Sequence, residues 1–423
     1  MLLLARAKSG DNSDEVAQVT DSTAYENFVP PPSGREQAQE ARTTLANAFA
    51  ETSLQEVRQS RPEPARLDLA FGDLFSDPES LFIRASSPAE RSIKTATRGQ
   101  ERDVPEGKQI HVRAGESIQR AIDSAPAGAV INVAEGVYRE KLDIKRDGIT
   151  LRGNGKAVID LADKPVNGAV INISGRKNVT IDGFEIKNVN GGNVPTGIRV
   201  DGASSNIKII NNNIHDIKSN KNAHGIGVFG TSAEPLKDVL IKDNRVHNLK
   251  LGQSESVVIN GNVDGFRIIG NTIRDNDNIG IDIIGGEGVG KKGLDQARRG
   301  LIAGNVISNI DSRPNPTYKR MSAAGIYVDG GSDVTIKDNV VKNSNYGIEL
   351  ASERHKWNTS NIRVHDNRIE GSHLAAISLG GGEARNGGVV DSRVENNTLI
   401  GNKRGIWKQH GVRNVHIGDN PTR

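Results

Sequence analysis

Cysteine is absent from this 423-residue chain, and aromatic residues make up only 4% of it. Without a thiol there is no disulfide scaffold, no cysteine nucleophile and no thiolate metal site. The low aromatic content is unusual for a compact globular core and less so for a stacked repeat. No apolar run approaches the roughly 18 residues that a membrane-spanning helix needs. We therefore expect no membrane span. The apolar start at residues 1–4 is too short for a signal peptide, so we also expect no classical secretion.

A dominant charge is lacking as well. Lysine and arginine total 55, aspartate and glutamate total 52, and the formal net charge is +3. This balance does not indicate nucleic-acid binding, and the sequence has no stripe of basic and aromatic residues that would indicate it. The sequence also has no P-loop, no G-x-S-x-G elbow and no H-E-x-x-H zinc motif. We therefore expect no nucleic acid, nucleotide or zinc as a partner.

Glycine and proline divide the chain at about residue 105. Residues 1–105 hold 8 of the 15 prolines but only 4 of the 47 glycines, and residues 106–423 hold the other glycines and all nine histidines. We predict that the first segment is a largely disordered or partly helical leader, with a polar helix at residues 35–60 and an apolar docking stretch at residues 67–82. An unclassical export signal, or a tail that covers the following domain, is the alternative.

The second segment, residues 106–423, is a repeat. An asparagine followed by any residue and then an aliphatic one recurs every 27 to 34 residues, at Asn212, Asn244, Asn271, Asn305, Asn339, Asn367 and Asn397. An aliphatic strand start, usually Gly-Ile, recurs out of phase with it, at Ile198, Ile226, Val257, Ile281, Ile326, Ile348, Ile377 and Ile406. Alternating strands of three to five residues at this period are too short for helical repeats. They predict the coils of an all-β parallel β-helix.

The start of the repeat also fits this fold. Residues 116–124 predict a short amphipathic helix, with Ile118, Ala121 and Ile122 on one face. Such a helix would cap the first coil, which otherwise exposes unpaired strand edges. Strands are predicted to follow at residues 130–133, 142–144 and 149–151.

The run Ser117-Ile118-Gln119 through Gly136-Val137-Tyr138, with the asparagine coils after it, resembles the right-handed parallel β-helix proteins of the pectate lyase superfamily. Three stretches are similar to one group of bacterial β-helix repeat proteins: residues 275–282 (DNDNIGID), 324–331 (AGIYVDGG) and 347–353 (GIELASE). The resemblance covers about residues 107–420 and implies a right-handed, single-stranded β-helix. Because the superfamily includes lyases, hydrolases, esterases, epimerases and non-enzymatic tailspikes, it implies no single reaction. In that group a histidine usually follows the last glutamate, whereas here Arg354 stands in that position and His355 comes next.

Catalytic chemistry must lie on the outward faces of the coils. In the Gly-Ile-x-aliphatic-x starts the aliphatic side chains point inward, so the residues between them point outward on one sheet. Three consecutive coils then carry Asp282, Tyr327, Asp329 and Glu349. Neighbouring carboxylates raise one another's pKa, which is the condition for a general acid beside a general base. We predict Glu349 as the acid and Asp282 or Asp329 as the base. The alternative is that these acids only keep the sheet soluble.

Two carboxylates and an alternative metal site bear on the reaction type. Asp282 and Glu349 lie two coils apart, roughly 10 Å between backbones, near the upper end of the roughly 6.5–9.5 Å found in inverting glycosidases. Calcium, which takes carboxylate oxygens readily, is the alternative use of Asp277, Asp282 and Asp329. With Lys408 or Arg354 as base, that site would support elimination from a uronate.

Substrate contacts are expected from polar and aromatic residues around the acids. The predicted substrate-binding residues are Asn260, Asn262, Tyr327, Glu353, Arg354, His355, Trp407 and Lys408. Trp407, or alternatively Trp357, would offer its ring as a platform for a sugar.

Two classes of function remain open. The first is a polysaccharide-cleaving enzyme, by hydrolysis in the first place, or otherwise by calcium-dependent elimination or uronate epimerisation. The second is a non-catalytic glycan-binding or effector β-helix. From the usual substrates of the fold we expect secretion by a nonclassical route. We also expect a monomer.

Overall fold

The computed structural model describes residues 107–162, 165–355 and 357–423. The predicted leader, with its candidate helix at 35–60 and its docking stretch at 67–82, lies outside the described residues. The boundary at residue 105 therefore stays a prediction.

The described residues form one short helix, α1 (Ile118–Ser124), and 32 strands. The strands are β1 Gln109–Val112, β2 Val130–Val133, β3 Gly136–Tyr138, β4 Leu142–Ile144, β5 Thr150–Asp160, β6 Ala169–Ser174, β7 Lys177–Lys187, β8 Val189–Asn190, β9 Thr196–Asp201, β10 Ser205–Ile210, β11 Asn213–His215, β12 Ile217–Lys218, β13 His224–Gly230, β14 Leu236–Lys242, β15 Arg245–His247, β16 Val257–Gly261, β17 Val263–Ile269, β18 Thr272–Asn276, β19 Ile281–Ile284, β20 Arg298–Ala303, β21 Val306–Ile310, β22 Ala324–Asp329, β23 Ser332–Lys337, β24 Val340–Lys342, β25 Tyr346–Ala351, β26 Thr359–His365, β27 Arg368–Glu370, β28 Ala375–Leu379, β29 Val389–Glu395, β30 Thr398–Ile400, β31 Ile406–Lys408 and β32 Val412–Ile417.

The strands wind into a right-handed parallel β-helix, as predicted. One ten-stranded parallel sheet runs β4-β6-β9-β13-β16-β19-β22-β25-β28-β31 and contributes one strand per coil. We call it the site sheet. A 20-stranded sheet forms the other faces of the coils, and β8 pairs with β12 in a short third sheet. Each strand of the site sheet pairs with the strand one coil away, so residues far apart in sequence become neighbours on its surface.

The helix α1 caps the first coil and confirms the predicted N-terminal helix. Ser117 is its N-cap and accepts a hydrogen bond from the backbone N–H of Arg120 at 3.1 Å. The carboxylate of Glu140 accepts from the N–H of Ile118 at 2.6 Å, which satisfies another free donor of the first turn. Ile118 and Ile122 are buried and close the apolar interior at this end.

The interior is filled by aliphatic columns that run along the helix axis. The strand starts Ile226, Val257, Ile281, Ile326 and Ile348 pair in register from coil to coil and are fully buried. This is the stacking that the recurrent Gly-Ile pattern predicts. Burial of these columns removes apolar surface from water at every coil, which is the main favourable term in folding.

The recurrent asparagines form a continuous ladder at one corner. In each pair of successive asparagines, the side-chain Nδ2 and the backbone N–H of the first both donate to Oδ1 of the second, at 2.8 to 3.1 Å. The ladder contains all seven predicted asparagines and ends at an eighth, Asn420. The residue before several of them has a positive φ, as at Asn211, Asp243 and Asp338. Asparagine and aspartate tolerate this left-handed conformation, so they turn the corner.

In the described part of the chain, no helix has the length and apolar character needed to cross a membrane.

Candidate functional site

Asp282, Tyr327 and Glu349 form one column across three coils of the site sheet. Asp282 pairs with Tyr327 between β19 and β22, and Tyr327 pairs with Glu349 between β22 and β25. The column continues through Ser378 to Trp407. The tyrosine therefore lies between the two carboxylate-bearing residues, which are separated by two strand spacings of about 4.8 Å each.

The predicted exposure of this column is wrong, because its members are buried. Asp282 is 2% exposed, Tyr327 1% and Glu349 3%. A polymer can reach these side chains only when the residues that cover them are displaced. The sequence argument failed here because strand alternation identifies the face on which a side chain lies, and does not reveal what packs over that face.

Three other carboxylates gather at the carboxyl ends of the same strands. Glu287 follows β19, Asp329 ends β22 and Glu353 follows β25. One carboxylate oxygen from each lies within 4.8 Å of the others. The backbone N–H of Glu353 also donates to Oδ1 of Asp329 at 2.8 Å. We call Glu287, Asp329 and Glu353 the carboxylate trio; it is the one such set of three among the described residues.

Arg354 lies against the carboxylate trio. Its guanidinium makes an ion pair with Glu287, and both side chains are about seven-eighths buried. Burial alone would lower the pKa of Arg354, but Glu287, Glu353 and Asp329 raise it above its usual range. Arg354 was predicted to bind substrate; in this structure its charge acts on the trio.

Glu255 is a fourth acid in this region. Its side chain is buried, and its Oε2 finds no hydrogen-bond partner among the described residues. Burial, followed by the charges of Glu287, Glu353 and Asp329, raises the pKa of Glu255 well above its usual range. In the absence of a cation this carboxyl group therefore holds a proton at pH values where an exposed glutamate has lost it.

His224 lies beside Glu255 on the neighbouring strand. Its Nδ1 is 3.2 Å from the backbone oxygen of Glu255 and 3.6 Å from Oε2 of the same residue. Its ring meets Phe229 edge to face at a centroid distance of 5.5 Å. Burial, and then the charge of Arg199, lowers the pKa of His224 to about 3, so the imidazole is neutral near pH 7.

A loop and a tryptophan border the trio. Trp357 donates its indole N–H to the backbone oxygen of Gly330 at 3.0 Å. Its ring lies so close to Gly286 that a Cβ there would be 2.8 Å from it. The loop that carries Glu287 is held by Asp295, which accepts the N–H of Gly290 at 2.7 Å. Glu287 is the contribution of this loop to the trio.

The two predicted asparagine ligands differ in their surroundings. Asn260 is fully buried, and neither its Oδ1 nor its Nδ2 has a hydrogen-bond partner among the described residues. Asn262 instead donates to the backbone oxygens of Ser232 and Ala233, both at 3.0 Å, and accepts from Arg298 at 3.1 Å. The amide of Asn262 is thus engaged within the fold, and Asn260 keeps its capacity for a ligand.

Asp277 lies apart from the trio, so the structure does not assemble the predicted set of Asp277, Asp282 and Asp329 as one metal site. Its Oδ1 accepts the N–H of Leu251 at 2.7 Å, on a different part of the coil. Burial raises the pKa of Asp277 to about 6.

The remaining predicted binding residues lie further along the helix or are exposed at its surface. Trp407 is half-buried two strands beyond Glu349, with the guanidinium of Arg404 4.6 Å from its ring centroid. Lys408 follows it and is exposed. His355 is exposed, and its Nδ1 lies 2.7 Å from the backbone oxygen of Arg385.

Glu255 was missed in the sequence because strict alternation turns it inward. Counting back from the inward residue Val257 gives Glu255 the same orientation. At the neighbouring coil, however, the N–H groups of Gly225 and Ile226 both donate to the oxygen of Ser256 at 3.0 Å. The oxygen of Ser256, just before β16, thus accepts two hydrogen bonds, and the alternation of side chains is interrupted there. The glycine at the corresponding position of the neighbouring coil, Gly225, is the signal that could have indicated this interruption.

A family model described as the right handed beta helix region matches residues 136–292 and 196–421. The protein YwoF of Bacillus subtilis (strain 168), named as uncharacterized, is 39% identical over 304 residues, which cover 68% of this chain and 64% of that protein. The chain thus spans less than two thirds of the length of this relative.

Solved structures with the same fold are more distant in sequence. A GH136 lacto-N-biosidase from Eubacterium ramulus matches with a TM-score of 0.51 and 11% identity, over 78% of this chain and 70% of that one. An alginate lyase from Paenibacillus sp. str. FPU-7 matches with a TM-score of 0.49 and 15% identity, over 74% of this chain and 99% of that one. At such low sequence identities the comparison shows a common fold only, and the chemistry must be argued from the site itself.

Proposed function

Since this chain belongs to the right-handed beta-helix family, we propose that it is a carbohydrate-active enzyme that cleaves a polysaccharide laid along the outer face of the site sheet. The observation that carries the proposal is the column Asp282–Tyr327–Glu349, in which two carboxylates flank a tyrosine on adjacent coils. Glycoside hydrolysis needs two such carboxylates on opposite sides of the scissile bond.

In the proposed reaction, which requires displacement of the residues that cover the column, Glu349 protonates the leaving oxygen of the glycosidic bond and Asp282 activates a water molecule on the opposite face of the sugar. Their backbones are about 10 Å apart, and side chains that lean toward the substrate shorten that distance into the range of inverting enzymes. Tyr327, between them, contacts the sugar whose bond is broken. Asp329 fits the role of base less well, because its Oδ1 already accepts the N–H of Glu353.

Asn260 and Trp407 are the proposed binding residues on either side of this column. Asn260 is buried with both polar side-chain atoms available among the described residues, and an amide of that kind bonds well to sugar hydroxyl groups. Trp407 lies two coils beyond Glu349 and offers an aromatic surface to a sugar ring. A polymer that spans both residues would cross six coils of the site sheet.

The carboxylate trio favours a second candidate, which is elimination or epimerisation of a uronate with help from a bound cation. Three carboxylate oxygens within 4.8 Å of one another suit a bound cation such as calcium. Arg354 or Lys408 would then act near the substrate carboxylate. Secretion by a nonclassical route and a monomeric state remain part of the proposal.

The experiment is an activity screen of the full-length protein on neutral and acidic polysaccharides, with calcium and with a chelator. Reducing ends and the ultraviolet absorbance of an unsaturated uronate are followed together. New reducing ends without that absorbance support hydrolysis, and absorbance that requires calcium replaces hydrolysis by elimination. If no polymer is cleaved but one is bound, the chain is a glycan-binding module and the enzymatic proposal is wrong.

A further inference from the structure

We propose that the loop of residues 286–295 is a lid, and that its Val289 occupies the place of a sugar ring on the site sheet. The surface beneath the lid, which we call the covered subsite, consists of Phe229, Val258, Asn260 and Ile284. Its ligand would be a pyranose ring, which has apolar faces and hydroxyl groups at its edge. This assignment rests on the proposed function, since the ring would belong to the same polysaccharide.

The covered subsite faces outward. Phe229, Val258 and Ile284 form an apolar cluster of their own, whereas Val257 belongs to the interior of the β-helix. Because side chains alternate along a strand, Asn260 points to the same outer face as Val258. In the sheet register it lies between Phe229 and Ile284. The subsite therefore combines apolar surface with one amide, a combination that suits a sugar ring.

The loop closes over this surface through Val289, which packs against the apolar cluster. A Cβ at Gly261 would lie 2.9 Å from Cγ1 of Val289 and 3.1 Å from the backbone nitrogen of Gly290, so the loop touches the strand itself. Val258 pairs with Asp282 in the next coil. The covered subsite thus lies directly beside the proposed catalytic base.

The amide of Asn260 indicates what the covered subsite binds. It is fully buried, and neither Oδ1 nor Nδ2 has a hydrogen-bond partner among the described residues. Val289 has no polar side-chain atom to offer, so the closed lid leaves a buried polar group unsatisfied, which is costly. A sugar hydroxyl both donates and accepts, so it can bond to either atom of the amide once the valine is displaced.

The loop is held together by its own contacts and can move as one body. Its ends meet at a bridge between Gly285 and Gln296. Asp295 accepts the N–H groups of Gly288 and Gly290, which fixes the loop from within. Compact loops of about 6–16 residues with adjacent ends pack on their own side chains and often carry function. Such a loop can turn about its closed base while its internal hydrogen bonds remain.

An ion pair between Glu287 and Arg354 fastens the lid to the segment that follows β25. Glu287 also lies beside the like charges of Asp329 and Glu353, which oppose closure. Arg354 therefore holds the lid closed against that repulsion. Arg354→Gln leaves only the repulsion and should open the lid, whereas Glu287→Gln removes attraction and repulsion together and should open it less.

Opening of the lid is measured by the reactivity of a single thiol, since the chain has no cysteine. Val258→Cys places the thiol under the lid and Val257→Cys places it in the interior; both valines are fully buried. In full-length protein, Val258→Cys should react with dithionitrobenzoate at least about 100-fold faster, because a lid opens locally and the interior opens only when coils unfold. Equal rates in the two variants would overturn the lid. If circular dichroism shows that either variant fails to fold, Ile284→Cys and Ile259→Cys take the same two places.

The ion pair is tested in the Val258→Cys protein. Arg354→Gln should raise the rate of thiol labelling at least about tenfold and Glu287→Gln by less, as expected for a partly buried ion pair. Arg368→Gln, which breaks an ion pair with Glu370 in the 20-stranded sheet, should leave the rate unchanged. An unchanged rate in Arg354→Gln would contradict the role of the ion pair in closing the lid.

Binding to the covered subsite is measured by affinity electrophoresis in the neutral and acidic polysaccharides of the activity screen. Val289→Ser should bind at about tenfold lower polymer concentration than the parent, because the valine no longer competes with the sugar. Leu294→Ser, in the same loop but 43% exposed, should bind as the parent does. Asn260→Leu added to Val289→Ser should cancel the gain. A polymer that binds the parent and Val289→Ser equally would contradict the subsite.

The outcomes for the lid and for the proposed function are separate. Fast labelling of Val258→Cys, with no polysaccharide bound or cleaved, would establish the lid and contradict both the covered subsite and the proposed function. Cleavage by a protein whose Val258→Cys thiol reacts no faster than that of Val257→Cys would support the proposed function and overturn the lid.

Discussion

The backbone N–H of Glu353 donates a hydrogen bond to Oδ1 of Asp329 at 2.8 Å, although 24 residues of sequence separate the two. One coil of the β-helix accounts for this contact, because the chain returns to the same edge of the site sheet after each turn. The carboxylate trio is therefore assembled by strand register, and its members need not be close in sequence.

Replacement of Asn305 by alanine should lower the free energy of unfolding by about 3 kcal/mol. The substitution removes the donations to Ile268 and Asn339, both at 2.9 Å, and leaves the buried N–H of Asn271 without its acceptor. Denaturant titration measures the loss. Asn132→Ala, which removes an exposed bond to a side chain, should change stability by less than about 0.5 kcal/mol. Equal effects in the two variants would mean that the ladder adds no special stability.

A methyl group at Gly347 should destabilise the site sheet by about 1–3 kcal/mol. A Cβ there would lie 2.3 Å from Cγ2 of Ile369 and 2.5 Å from the backbone oxygen of Ala376. At Gly405 the nearest atom would be Cδ1 of Leu399 at 3.5 Å, an ordinary contact. Thermal melts of Gly347→Ala and Gly405→Ala compare the two positions directly, and similar melting temperatures would contradict the close approach.

Asn260→Leu should stabilise the protein by about 1–2 kcal/mol and weaken substrate binding. The buried amide has no partner among the described residues, so an apolar side chain of similar size removes a desolvation cost. Asn262→Leu is the matched control and should destabilise, since that amide donates to Ser232 and Ala233. A loss of stability in Asn260→Leu would show that its amide is already satisfied in the fold.

The contribution of Asp277 to the free energy of unfolding should decline as the pH rises from about 4 to about 6. Its pKa is about 6 in the folded state against an ordinary 3.8, so the folded state binds this proton more tightly. The stabilising contribution, about 3 kcal/mol, is complete below the unfolded pKa and is lost as the pH passes the folded one. Asp277→Asn should remove that part of the pH dependence of the melting temperature; an unchanged profile would rule out the raised pKa.

Much of the fold was predictable from the sequence because each of its parts leaves a periodic signal. The asparagine ladder and the aliphatic strand starts recur once per coil, and the capping helix has an amphipathic pattern, so all three could be identified without coordinates. The strand register across Asp282, Tyr327 and Glu349 also follows from that period.

The surroundings of the site could not be predicted in the same way. Burial of Asp282 and Glu349 depends on segments that pack over the sheet, and these segments have no period. Glu287 lies in an irregular loop, and Glu255 precedes its strand at a point where alternation breaks down. The proximity of Glu287 to Asp329 and Glu353 is a product of loop conformation, which local patterns do not encode.

The most direct test of the proposed function is the rate of polysaccharide cleavage by Asp282→Asn and Glu349→Gln, with Glu395→Gln, on the distant strand β29, as the control. We expect each site variant to lose about 100-fold or more in rate, since general acid–base catalysis contributes on that scale. Unchanged folding and unchanged polysaccharide binding should accompany the loss. Cleavage by Glu349→Gln at the rate of the parent protein would contradict the assignment of this column as the catalytic site.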